Sequence, residues 1–316
     1  MRGWLWAGPL VAWAGCAASE EGPLPERPEC PSSAYDPDAM AADVAWLASP
    51  ELDGRYPGSE GDISARDFIA ERFGCLGLAS YDGASDYHHA FTDAEGNETG
   101  NVFGYVPGEG ENAADIIVVS AHVDHFGEGL LGANDDASGL AGLMAIAQSL
   151  AEGPAPDRTV LFAAFGAEEE GFEGSDYFFE QPPEGVDPND SVYNVNMDMI
   201  GSYDSTGLVN ALGTFGGTQG RAVVDAVAGD YPELDVSVGD SSNSSDNVSF
   251  CSRGIGYVFM WTEDLECYHQ LCDTADVVDY PHMVQIAELT GDIAGSLANS
   301  EDDLRAAVTP DSDVCE

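Results

Sequence analysis

IIVVSAHVDH, residues 116–125, runs from an unbroken apolar stretch into two imidazoles and a carboxylate. Ile and Val at this density suit a strand buried on both faces, the setting of a parallel sheet. The chain that follows agrees. SGLAGLMAIAQSLAE (138–152) has the length and apolar spacing of a helix, RTVLFAAFG (158–166) is a second apolar strand, and EGSDYFFEQ (173–181) is a short helix. VYNVNMDMIG (192–201) and GLVNALGT (207–214) read as strands, and GTQGRAVVDAVAGDY (217–231) as a helix. IGYVFMWT (255–262) is a further strand, and MVQIAELTGDIAGSLANS (283–300) a closing helix. Strands alternating with helices predict an α/β three-layer sandwich, with a central, mostly parallel mixed sheet and helices on both faces.

Toward the N-terminus, DPDAMAADVAWLAS (36–49) reads as a helix with an Asp-rich start, and PELDGRYPGSEG (50–61) is rich in turn formers. DISARDFIAERFGC (62–75) has helical apolar spacing at Ile63, Phe68, Ile69 and Phe73, and NVFGYVPG (101–108) is a strand running into a turn. No linker interrupts residues 36–300, which are expected to form one domain. The first 16 residues, MRGWLWAGPLVAWAGC, place Arg2 before an apolar run too short to span a bilayer, which reads as an export signal. Ala14-Gly15-Cys16 resembles the end of a bacterial lipoprotein processing box, although Trp13 stands where that pattern usually has an aliphatic residue. The expected location is the cell envelope, attached to a membrane only through a lipid on Cys16, or the medium if cleavage occurs without lipidation. Residues 17–35, rich in Pro and Glu, are expected to be a flexible tether, and 301–316 a loose acidic tail.

The chain carries 58 Asp and Glu against 9 basic residues, all of them Arg, for a formal net charge of -49. Such a surface repels nucleic acid and anionic headgroups, which excludes both as partners. Seven cysteines fit an exported chain, where disulfides persist. Cys30 with Cys75 would pin the tether to a helix end, and Cys267 with Cys272 would stiffen the loop that carries His269. The connectivity stays open at this point, because spacing does not select it. The chain has no CxxC pair, which argues against a four-cysteine zinc site.

Chemistry gathers where the apolar strands end. His122 and Asp124 lie two apart, so on a strand they share a face, while His125 falls out of phase and reads as a pocket or loop residue. GANDDASG (132–139) opens a helix, where Asn134, Asp135 and Asp136 could equally be caps. AEEEG (167–171) puts three carboxylates after a buried strand, a repulsive arrangement unless cations or solvent neutralise it. Asp198 sits among apolar residues in NMDMIG, where an unpartnered carboxylate is costly. His269 follows the next strand in YHQLCDT. His88, His89 and His282 belong to no such motif. Each motif has a structural explanation alone, but five of them at strand ends match the crevice where α/β sheets build sites. Together they offer two imidazoles, three carboxylate ligands and one spare carboxylate, the donor set of two zinc ions with a general base. His122, Asp135, Glu169, Asp198 and His269 are the candidate ligands, and Glu168 the candidate acid–base group.

With LASPELDGRYPGSEG (47–61) and TGNVFGYVPG (99–108), these motifs resemble the exported di-zinc aminopeptidases, which include bacterial leucyl aminopeptidases and glutamate carboxypeptidase-like enzymes. The resemblance spans about residues 40–298. It implies a zinc exopeptidase fold and two Zn²⁺ ions bridged by Asp135, with His122 and Asp198 completing one site and Glu169 and His269 the other. It implies Asp124 as the partner of His122 and a cis peptide after Asp135. It implies hydrolysis of N-terminal residues from peptides by a hydroxide held between the ions, with Glu168 as the base. The charges then balance: three carboxylate ligands and one hydroxide against two divalent ions. One departure is visible. The family often has Ser-Asp-His before its last strands, and here Ser245-Asp246-Asn247 ends in a residue that cannot titrate near neutrality.

Other functions remain on the same scaffold. A carboxypeptidase should present cations to a substrate carboxylate, and Arg158, Arg221 and Arg253 fall in no motif. A glutaminyl cyclase uses one zinc, against a full two-ion ligand set here. A non-catalytic lipoprotein binding Ca²⁺ or peptides is the alternative of a different class, but His122 and His269 do not suit Ca²⁺.

Overall fold

The computed structural model describes residues 23–81, 86–214, 218–239 and 244–305. The export signal, the lipid site expected at Cys16 and the tail from 306 lie outside the described residues. In chain order the strands are β1 (His88–Thr92), β2 (Glu98–Val106), β3 (Ile116–His122), β4 (Thr159–Phe165), β5 (Ser191–Met197), β6 (Val209–Leu212), β7 (Val236–Val238) and β8 (Gly256–Trp261). The helices are α1 (Pro37–Leu47), α2 (Glu60–Leu76), α3 (Gly139–Glu152), α4 (Glu173–Glu180), α5 (Tyr203–Thr206), α6 (Gln219–Val227), α7 (Asn247–Cys251) and α8 (Tyr280–Ala298). The strands form one mixed sheet in the order β1-β2-β4-β3-β5-β8-β6-β7. Its centre, β4-β3-β5-β8, is parallel throughout. The antiparallel pairs lie on either side, at β1–β2, β2–β4 and β6–β8.

The continuous apolar reading of β3 has a direct cause, since both of its faces are covered. Ile117, Val119 and Ala121 join the larger core with residues of α1, α2, α3 and α8, such as Leu47, Phe73, Leu143 and Ile286. Ile116 and Val118 face the other way, into a smaller core with Phe165, Phe178 of α4 and Phe250 of α7. Burying each such side chain contributes roughly 1.5–3 kcal/mol. Helices therefore cover both faces as expected, but unequally: the long ones share a face, and among the described residues the short α4 and α7 back the other. The larger core covers most of α3, which is why that helix is apolar almost all round.

Local signals set the helix ends. The Asp36 side chain accepts from the Asp38 and Ala39 amides ahead of α1, and Ser59 accepts from Asp62 ahead of α2. Gly77 ends α2 in the left-handed conformation, φ 74°. Two short strands, β1 and β7, and the five-residue α7 lie where no clear hydrophobic period is legible.

Part of the segment expected as a tether lies against this body. A Cys30–Cys75 disulfide ties it to α2, Arg27 pairs with Glu71, and the Trp46 indole donates to the Pro25 carbonyl. Similarly, the start of the acidic tail is held rather than loose. Buried Arg158 donates to the carbonyls of Ser300 and Asp302, and Leu304 is buried.

Candidate metal centre

The carboxyl ends of β3, β4, β5 and β8 meet above the centre of the sheet. From β3 the chain crosses to β4 on one side and later returns to β5 on the other. β3 is thus the switch point, where loops diverge and leave a crevice. His122 is its last residue. Glu168 and Glu169 follow β4, Asp198 follows β5, His269 follows β8, and Asp135 lies in the turn that opens α3.

All six candidates come together there. The Asp135 carboxylate lies between the two imidazoles: Oδ1 is 3.0 Å from His122 Nε2, and Oδ2 is 3.0 Å from His269 Nε2. Asp198 Oδ1 is 3.5 Å from His122 Nε2, and Glu169 Oε2 is 3.5 Å from His269 Nε2. Donor atoms of His122, Asp135 and Glu169 lie within 4.8 Å of one another, as do those of His122, Glu168 and Asp198. One carboxylate shared by two imidazoles, each with a second carboxylate beside it, fits two divalent cations with nitrogen and oxygen ligands. The peptide bonds Asp135–Asp136 and Asp198–Met199 are both cis.

The electrostatics also call for cations. Burial opposes a charge on His122, yet Asp198, Glu168 and Asp135 outweigh it and hold the imidazole pKa well above its ordinary value. Burial raises Glu168, with Asp198, Asp246 and Glu169 adding to the effect against His122. Burial and the Asp135 charge likewise raise Glu169. Asp135 is held low despite burial, because His122 and His269 both hydrogen-bond it. Carboxylates this close and this buried need positive charge to remain ionised together.

The supporting residues differ from what strand phase suggests. β3 ends at His122, so Asp124 already lies in a loop. His122 Nδ1 is 3.1 Å from the Asp124 carbonyl, whereas the Asp124 carboxylate is 3.9 Å away. That carboxylate accepts instead from the amides of Glu168 and Glu169, at 3.0 and 3.2 Å, and so shapes the turn that presents both glutamates. His125, expected as a pocket or loop residue, is fully buried with Nδ1 2.7 Å from Glu169 Oε1. Asp273 accepts from the Asn134 and Asp135 amides, at 2.7 and 3.1 Å. Gly132 has φ 63°, and a Cβ there would collide with the Asp135 carbonyl. Asp246, from the Ser245-Asp246-Asn247 triplet, is buried ahead of α7, and burial pushes its carboxyl up to about 7.

Sequence reasoning missed Arg55. It is fully buried, and its guanidinium donates to the carbonyls of Val123, Leu47, Leu131 and Gly132 at 2.6 to 2.9 Å. It thereby clamps the 50–55 turn to the loops on either side of the site. Its only sequence signal was its place in LDGRYPGS. On the outer side, His269 is partly exposed, stacked with Tyr268 at 3.7 Å between centroids and edge-on to Phe126. A Cys267–Cys272 disulfide closes that loop.

Comparison with known proteins gives a family and a fold. The sequence profile of peptidase family M28 matches residues 101–294. The aminopeptidase YwaD of Bacillus subtilis is 30% identical over 203 residues, covering 60% of this chain and 42% of that protein. The chain thus spans less than half the length of the curated relatives it matches. Among solved structures, the zinc aminopeptidase BSAP from Bacillus subtilis superposes with a TM-score of 0.71 at 17% identity, over 89% of this chain and 98% of that one. A glutaminyl cyclase from Porphyromonas gingivalis superposes with a TM-score of 0.66 at 16% identity, over 83% and 98%. At these identities the structural likeness is one of fold.

Proposed function

We propose that this chain, which belongs to peptidase family M28, is a zinc-dependent aminopeptidase that binds two ions and releases N-terminal residues from peptides. The observation that carries this reading is the Asp135 carboxylate set between the Nε2 atoms of His122 and His269, with Glu168 beside it. His122, Asp135 and Asp198 would hold one ion, and Asp135, Glu169 and His269 the other. When bound, the ions supply Lewis acidity toward the scissile carbonyl and lower the pKa of water.

The protein's own groups do the rest. Glu168 accepts a proton from the attacking water and returns it to the departing amine, so a C–O bond forms as the C–N bond breaks. Its burial raises its proton affinity, which suits a group that takes up a proton and gives it back. Asp124 holds the turn bearing Glu168 and Glu169, and Asp273 holds Asp135, so the acid–base group and the ligands are set before substrate arrives. Excess carboxylate attracts a substrate α-ammonium. Exposed Phe126, Tyr268 and Leu271 border His269 and offer an apolar surface for a neighbouring side chain.

One carboxylate between two imidazoles, each with a second carboxylate 3.5 Å away, favours this over a one-zinc cyclase. A carboxypeptidase lacks support because the arginines named for it are engaged elsewhere: Arg158 with Asp115, Arg221 with Asp225, and Arg253 with Asp176. The test is release of leucine from a leucyl anilide by Glu168→Gln. Turnover should fall by roughly 10²–10⁴ with zinc content unchanged. Full activity in that variant removes Glu168 from the role.

A further inference from the structure

His269 differs from the other proposed ligands in how it is held. Its side chain is 31% exposed, against 12% or less for His122, Asp135, Glu169 and Asp198. Its backbone sits at φ 54°, in the left-handed region, which a residue with a Cβ keeps only where its surroundings hold it. The two ends of the loop around it are fixed. Thr262 is buried and its amide donates to the Met199 carbonyl beside Asp198, while buried Asp273 accepts from the Asn134 and Asp135 amides. Residues 263–272 lie between these ends, all among the described residues, and none of them is buried. The rings against His269 do not anchor it either: Tyr268 is exposed on the same loop, and Phe126 is exposed on its own.

What closes the loop is the disulfide between Cys267 and Cys272, five positions apart, with His269 inside the ring. The Gln270 amide donates to the Cys267 carbonyl and the Asp273 amide to the Gln270 carbonyl, so the turns that aim the imidazole begin inside that ring. A cross-link over so short a span removes most conformers of the open loop. Apparent affinity scales with the fraction of chains already in the competent conformation, so a loop closed in the ligating shape binds its ion more tightly. Cys272 lies exposed at the surface, within reach of external thiols.

On the two-ion reading above, we propose that the Cys267–Cys272 disulfide positions His269 for the ion shared with Asp135 and Glu169, and that opening it releases this ion while the ion at His122 and Asp198 is kept. The retained ion does not depend on the loop, because His122 ends β3 and Asp198 directly follows β5. A dithiol opens the bond by exchange. Its first thiolate attacks one sulfur and forms a mixed disulfide, and its second displaces the remaining protein thiol. Two electrons and two protons pass to Cys267 and Cys272, and the dithiol leaves as a disulfide. Occupancy of one metal position is thereby tied to the redox state of the medium.

Competition of the full chain against a chromogenic zinc chelator, with elemental analysis, reads the two affinities separately. The double variant Cys267→Ser, Cys272→Ser should bind one ion roughly tenfold or more weakly and the other within about twofold of wild type. The double variant Cys30→Ser, Cys75→Ser, whose bridge encloses no ligand, should keep both affinities. Two affinities equal to wild type in the Cys267, Cys272 variant overturn the proposal, and so does equal weakening of both ions, which marks a general loss of stability. A wild-type chain that never binds two ions fails at the earlier step, on the two-ion reading itself. If the Cys267, Cys272 variant does not fold, dithiothreitol treatment of the wild type, then desalting, alkylation and peptide mapping, carries the test. Chains alkylated at Cys267 and Cys272 should hold one ion, and reoxidation of unalkylated chains should restore the second. Two ions retained on the alkylated chains overturn the proposal.

Discussion

Replacing Arg55 with Met should unfold this protein far more readily than any surface change. The guanidinium serves four backbone carbonyls from a fully buried position, at Val123, Leu47, Leu131 and Gly132. It also lies in the field of Asp273, Asp124, Asp135 and Asp136, which oppose the lowering of its pKa by burial. A thioether side chain fills similar volume but leaves all four acceptors without a donor. At roughly 1 kcal/mol or more for each stranded acceptor, the loss is about 4 kcal/mol. Recovery of the guanidinium's own desolvation cost offsets part of this, and removal of its charge from four carboxylates adds to it. The net expectation is about 3–5 kcal/mol, the range seen when one member of a buried charged group is removed. Urea unfolding of the zinc-saturated protein should show the midpoint falling by about 1 M or more at unchanged slope. Arg55→Lys should fall between the two, because an ammonium keeps the charge but not the fork. A Met variant within about 1 kcal/mol of wild type would refute the reasoning, since the four carbonyls would then have found other donors.

Asp43 gives a test by pH. It is buried against Arg72 at 2.6 Å, yet burial pushes its carboxyl from 3.8 up to about 6, with Arg72 only partly opposing. A raised carboxyl favours the folded state while protonated, so its contribution is full below about pH 4 and is lost as pH rises through 6. The stability difference between wild type and Asp43→Asn should therefore change by roughly 3 kcal/mol between pH 4 and 7, against wild type at the higher pH. A difference that stays constant across that window means Asp43 is not held in the protonated form. The net charge of -49 leads to a separate expectation. Raising NaCl from ~10 mM to ~0.15 M shortens the Debye length from ~30 to ~8 Å and should raise the melting temperature. A flat or falling curve would show that surface repulsion is not limiting.

The central strands were legible because burial on both faces removes any competing pattern: β3, β4 and β8 read as apolar runs, and the motifs stood at their ends. The edge strand β1, HHAFT, offered no such run, since its neighbours leave it largely exposed. His125, read as a pocket or loop residue, does lie in the loop beside Glu169, but phase along a strand misjudged Asp124 for one reason. The rule holds only while the chain is extended, and β3 stops at His122. Beyond it, tertiary contacts decide, and the Asp124 carboxylate turns to the Glu168 and Glu169 amides. Arg55 was illegible for a related reason: a buried cation that binds only backbone carbonyls has no partner side chains to look for. Asp135 was ambiguous between cap and ligand in sequence. In space the cap belongs to its neighbour, for Asp136 accepts from the Gly139 amide while Asp135 faces both imidazoles.

Zinc content per chain tests the account most directly, because the shared Asp135 carboxylate has a purpose only if two ions flank it. Elemental analysis of the full chain, reconstituted with zinc and freed of excess metal, should give two ions per chain. One ion per chain, or none retained, would contradict the account.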